Sequence, residues 1–149
     1  MFVFPHKNIA IAKPSGKLRS LALTLWGSPL PKDFDLSGSP KNKYSSKFIH
    51  GFRVTTVKPA YVYYLKLEFK DGLTVWKIGY TSMSVRKRIA FFMLDSSTKV
   101  TILETIKCKN SKDAFKLEQL LHYRFKASKH RGLNVLASGN TELYKHALV

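Results

Sequence analysis

Five side chains in the second half of the chain have the types needed to act on a phosphate ester: Tyr63, Lys77, Arg88, Glu118 and His122. A phenol can take up a proton, while an ammonium and a guanidinium can offset phosphate charge. A carboxylate turned inward is costly to desolvate unless it is paired or holds a metal. These groups are far apart in sequence, so any joint chemistry depends on the elements that carry them.

Tyr63 and Lys77 belong to YVYYLKLEFKDGLTVWKIGYT, Tyr61 to Thr81, which reads as two strands around an Asp71-Gly72 turn. A two-residue loop pairs Lys70 with Leu73 and sends Tyr63 and Lys77 to opposite faces. A three-residue loop, Lys70-Asp71-Gly72 with Gly72 left-handed, pairs Phe69 with Leu73 and puts both on one face. The competing interpretation is a structural aromatic strand with a snorkelling lysine.

Ala114, Leu117, Leu121 and Phe125 mark the buried stripe of a helix expected over Ser111 to Lys126, with Asn110 or Ser111 as its N-cap. Glu118 and His122 fall on that face, four residues apart. Either Glu118 reaches solvent at the stripe's edge with His122 as its partner, or it faces inward and is held. An earlier helix, about Ser84 to Leu94, offers Arg86, Lys87 and Arg88 beside a stripe of Ile89, Phe92 and Met93. Arg88 lies where its stem can pack while its guanidinium reaches over the sheet.

The remaining elements follow from pattern. Val100, Ile102, Ile106 and Cys108 alternate along a strand from about Lys99 to Cys108, and TELYKHAL reads as a short final helix. The order ββαβα predicts an α+β fold: a small three-stranded antiparallel sheet flanked by helices. This unit spans 59–149. Residues 1–58 read as a basic extension holding ten Lys and Arg against two Asp. Within it, Asn8 to Ala12 and Leu21 to Trp26 could pair as strands, although Leu18, Leu21, Ala22 and Leu25 also fit a helical stripe. Pro29 to Lys47 has a linker's composition, and Phe48 to Val57 reads as a further short strand.

Composition narrows the partners. Twenty-six Lys and Arg against nine Asp and Glu give a net charge of +17, an excess that favours nucleic acid through counterion release. Cys108 stands alone, which leaves no internal disulfide or cysteine zinc site. No apolar run nears the roughly 20 residues of a membrane span, and Pro5, His6 and Lys7 interrupt any signal-peptide core. An intracellular, cytoplasmic setting is expected, with no membrane partner and no organic cofactor.

The succession Tyr61-Val62-Tyr63, Lys77-Ile78-Gly79, Arg88, Glu118 and Thr141-Glu142-Leu143-Tyr144 resembles the GIY-YIG nuclease superfamily. The likeness is to its compact phage and virus branch, with KIG as second motif, and covers about Ala60 to Lys145. The resemblance implies an endonuclease that hydrolyses DNA, most readily double-stranded, with one Mg²⁺ or Mn²⁺. It makes Tyr63 the general base, Arg88 (or Arg86) the phosphate contact, Glu118 the metal ligand and His122 part of an LH pair. Lys77 stands for the second tyrosine, and Gly79 is the glycine that leaves room for close packing. Arg86, Lys87, Tyr80, Arg124, Lys129 and Arg131 are the expected DNA contacts. Tyr61 replaces the first glycine of GIY, and the late asparagine is matched by either Asn134 or Asn140. The seven Asp and Glu beyond Pro59 contain no DxD pair, in keeping with one metal rather than two. The alternative is a non-catalytic basic DNA- or RNA-binding module on the same fold. Oligomeric state is left open between monomer and homodimer.

Overall fold

The computed structural model describes residues 4–128 and 143–149. In chain order the elements are β1 (Ile9–Ile11), α1 (Lys17–Trp26), β2 (Tyr44–Ile49), β3 (Phe52–Val57), β4 (Ala60–Glu68), β5 (Thr74–Thr81), α2 (Val85–Ala90), β6 (Lys99–Cys108), α3 (Ser111–Arg124) and β7 (Leu143–Tyr144). The fold is α+β, as expected, with β6, β4 and β5 forming an antiparallel core. Two short strands extend it: β1 lies parallel to β6 and β7 antiparallel to β5, giving the order β1-β6-β4-β5-β7. A separate two-stranded sheet is made by β2 and β3.

The central turn takes the three-residue form. Phe69 N–H donates to the Leu73 carbonyl at 2.8 Å, and Gly72 has φ 90°. Glycine adopts that backbone without the Cβ strain other residues meet. Tyr63 therefore pairs with Gly79 and Leu65 with Lys77, so Tyr63 and Lys77 share a face.

That face is covered by α2. Tyr63, Leu65, Leu67, Val75, Ile89, Phe92, Val100, Ile102 and Leu143 form its apolar cluster. The opposite face is covered by α1 and α3, where Leu18, Ala22, Val62, Tyr64, Ile78, Ile106, Ala114, Leu117, Leu121 and Tyr144 pack together. Strand β6 serves both. The register skips Leu103, because Glu104 pairs with Tyr64 while Ile102 pairs with Leu65. This bulge reverses the alternation. Val100 and Ile102 join the α2 face, and Ile106 and Cys108 the α3 face. The single stripe expected from the sequence is thus split in two.

The bulge also turns Glu104 toward α1. Its carboxylate is buried and accepts from Gly16 N–H at 2.9 Å and Arg19 N–H at 3.0 Å. These donors stand at the start of α1, where a carboxylate satisfies unpaired amides and complements the helix dipole. Glu104→Ala is expected to lower stability by about 1–3 kcal/mol, the usual cost of losing charge-assisted bonds. Thermal unfolding checks this, and an unchanged midpoint would remove the role.

Both later helices start at a capping side chain, which for the second is the Asn110 expected from the sequence. Ser84 Oγ accepts from Lys87 N–H at 3.2 Å, and Asn110 Oδ1 from Asp113 N–H at 2.8 Å. The first is shorter than expected. After Ala90 the chain tightens into three-residue turns through Met93, whose φ is 53°. Phe92 remains buried, but Met93 turns out to solvent and leaves the expected stripe.

One choice left open by the sequence is decided and two further expectations are corrected. Asn8–Ala12 does not pair with Leu21–Trp26: Ile9–Ile11 joins β6, and the leucine stripe is helical in α1. Tyr44–Lys47 belongs to β2 rather than to the linker. Leu143–Tyr144 is a strand on β5, not helix. So short a segment nucleates a helix poorly, whereas the β5 edge supplies backbone partners at once. Thr141 and Glu142 lie outside the described residues. Among the described residues no helix is long and apolar enough to cross a membrane.

Candidate functional site

Phe92 gathers the cationic part of the site. Its ring centroid lies 5.1 Å from Lys77 Nζ, 5.1 Å from Arg88 Cζ and 6.5 Å from the Tyr63 ring. Lys77 is fully buried, so it does not snorkel to solvent. Arg88 is half-buried, while Arg86 and Lys87 stand exposed on α2. Of the three helix cations, then, Arg88 is the one turned to Phe92. An aromatic ring this near to both cations steadies each of them by cation–π attraction.

Tyr63 lies flat over its cross-strand partner. A Cβ built on Gly79 would stand 2.5 Å from Tyr63 Cζ, well inside contact distance. Only glycine leaves space for the phenol there, so Gly79 fixes where Tyr63 sits. From Tyr63 the same face runs toward the start of β4 and opens into a cleft of about 450 Å³, whose walls include Lys58, Tyr61, Met83, Ser84 and Thr105.

Glu118 and His122 form a second cluster. Glu118 is 2% exposed, which answers the question left by the sequence: it faces inward. Gln119 Nε2 donates to Glu118 Oε1 at 2.8 Å, and His122 Nε2 lies 4.0 Å from the same oxygen. His122 Nδ1 is hydrogen-bonded to the Tyr144 hydroxyl, and the two rings stack with centroids 5.6 Å apart. Helix α3 packs on the face opposite α2. The residues expected over one side of the sheet therefore flank β5 from its two sides. The β5–β7 edge links the clusters: Leu143 packs in the cluster of Tyr63, and Tyr144 in that of α3.

The expected DNA contacts scatter. Tyr80 is half-buried and meets Phe115 edge-on at 5.7 Å on the α3 face. Arg124 is exposed at the end of α3, with Cζ 5.7 Å from the Phe125 ring. Lys129, Arg131, Asn134, Asn140 and Glu142 lie outside the described residues. Tyr64 is on the α3 face, where its hydroxyl accepts from Leu148 N–H at 2.8 Å and burial raises its pKa. Burial also pushes the Cys108 thiol up to about 11, which keeps it protonated and unreactive at neutral pH.

Sequence reasoning treated Phe92 as plain core and passed over Glu104 and the hydroxyl of Tyr144. Phe92 gave no signal beyond its helical spacing. Glu104 stood out only as an acidic residue inside an apolar strand.

Chemically, the first cluster can bind an anion and handle a proton, and the second can anchor a cation. Among the described residues no group of three or more His, Cys, Asp or Glu is placed to enclose a metal. A hard cation kept largely in water needs only one protein carboxylate; Glu118 supplies that carboxylate, and at 2% exposure it would have to turn outward to meet the cation's water.

These features define a small α+β domain that collects a phenol, a lysine and an arginine on one face of its sheet. The T5orf172 domain matches residues 60–148, more than half of the chain, and the chain belongs to that family. The family is associated with phage-type endonuclease-like proteins. No curated protein and no solved structure gives a match.

Proposed function

We propose that the chain is a divalent-metal-dependent endonuclease of GIY-YIG type that hydrolyses DNA phosphodiester bonds with one metal and a tyrosine base. The observation that carries this reading is the meeting of Tyr63, Lys77 and Arg88 around Phe92, with Gly79 keeping space for the phenol. The scissile phosphate would lie at the β5 edge beyond the two residues paired by β7, which the two clusters approach from opposite sides. Net charge of +17 supports a polyanionic substrate.

The chain's own groups divide the work. Tyr63 takes a proton from the attacking water as its oxygen bonds to phosphorus and the bond to the 3′ oxygen breaks. Arg88 and Lys77 offset the charge that builds on the phosphoryl oxygens. Glu118 would hold Mg²⁺ or Mn²⁺, with His122 beside it orienting the carboxylate. When bound, the cation supplies charge neutralisation at the phosphate and at the leaving oxygen.

A supercoiled-plasmid assay tests the reading. Nicked or linear product is expected with Mg²⁺ or Mn²⁺ and none with EDTA, and binding should weaken steeply as salt is added. Plasmid that is retarded but uncut under every metal condition would make the chain a binding module. A flat salt response would argue against a phosphate-tracking surface.

A further inference from the structure

The ribbon of β2 and β3 plays no part in the site just described. All its residues but Val54 are exposed, which a ribbon packed against a core would not allow. The two strands turn at His50-Gly51, with φ of 51° and 82°, the left-handed pair of a tight hairpin. Large apolar groups crowd the tip: Phe48 is 75% and Phe52 74% exposed, with Phe52 opposite Ile49 and Arg53 opposite Phe48. Ser45–Thr56 and Ser46–Thr55 hydroxyl pairs tie the stem. Isolated two-stranded hairpins are marginal in water, so an arm of this kind gains from a partner.

Charge identifies the partner's chemistry. Lys41, Lys43, Lys47, Arg53 and Lys58 lie in or beside the ribbon, and residues 36–67 contain no Asp or Glu. A polyanion matches that surface, and a two-stranded ribbon has the cross-section the major groove of a duplex admits. The ribbon also springs from the right place. Strand β3 passes through Lys58 and Pro59 directly into β4, and Lys58 and Tyr61 line the cleft beside Tyr63. At about 3.4 Å per residue, the tip reaches up to about 40 Å from Tyr63, comparable to the ~34–36 Å of one DNA turn.

We infer that the β2–β3 ribbon is a DNA-binding arm that enters the groove of a duplex up to one turn from the cut. This rests on the nuclease reading for its substrate but assigns a separate surface. The test compares binding to duplexes of about 8 and about 30 base pairs, one shorter and one longer than the arm's reach. Lys47→Glu/Arg53→Glu and Phe48→Ser/Phe52→Ser are each expected to weaken binding to the long duplex at least about 10-fold and leave the short one unchanged. The charge pair should also reduce the salt slope by about two, one for each lost phosphate contact. Thermal unfolding of the variants should match the unaltered chain, since the ribbon lies outside both cores.

Equal affinity of variant and unaltered chains for the long duplex overturns the assignment. So does a shift from dimer to monomer in sedimentation with DNA affinity unchanged, which would make the ribbon a contact between copies. If the unaltered chain binds neither duplex, the nuclease reading falls and the arm with it. If it binds both and the variants do too, only the arm is lost.

Discussion

Glu118→Gln is expected to lower metal-dependent cleavage by about 10³-fold or more, the scale of several kcal/mol of lost charge stabilisation, while DNA retention stays nearly intact. The substitution keeps the side chain's shape and its capacity to accept from Gln119, but removes the charge a cation needs. Plasmid nicking and gel retardation, run side by side, separate the two effects. Unchanged turnover would remove the metal from Glu118. The contrast with Glu104 sharpens the experiment. Both carboxylates are buried, but Glu104 is spent on the backbone of α1, so altering it should lower the melting temperature first.

Tyr63→Phe should cost at least about 10²-fold in cleavage, the low end for removing a general base. The phenylalanine ring keeps its place over Gly79 and beside Phe92, so the loss reports the hydroxyl rather than packing. Gly79→Ala attacks the same position from below. Its methyl group cannot coexist with the phenol where it lies, and either the ring or the strand must shift, at about 1–3 kcal/mol for overpacking. Cleavage should fall to a similar degree, with a lowered melting temperature that Tyr63→Phe does not share. Full activity in Gly79→Ala would show that the ring's placement is immaterial. Activity retained in Tyr63→Phe would take the general-base role from Tyr63, and no other tyrosine of the hairpin would inherit it from that face, since Tyr64 and Tyr80 pack on the α3 side.

The hairpin, the two later helices and the strand between them were legible in type because turn residues, apolar spacing and one cap marked them locally. Asn110, Ser84 and the Lys70-Asp71-Gly72 loop act locally, within three or four residues of what they control. The shared face of Tyr63 and Lys77 followed from one turn. Contacts that close over long separations were not readable this way. Nothing near Ile9 announces that it will lie beside Val100, and nothing in Leu143 announces β5. Glu118 was ambiguous because a helical stripe's edge is decided by what packs against it. The placement of α2 and α3 on opposite faces was hidden for the same reason: helical spacing says which side of a helix is apolar, not which side of the sheet it meets.

The skipped Leu103 has a consequence for how this chain tolerates change. Removing that one residue would restore an unbroken pleat along β6. Because Ile102 already pairs with Leu65 and Glu104 with Tyr64, the side chains before and after it would keep their partners and faces, and Glu104 could still meet Gly16 and Arg19. Deletion at Leu103 should therefore be borne far better than deletion at Thr105, which would carry Ile106 and Cys108 to the opposite face, because the extra length at 103 stands outside the pairing.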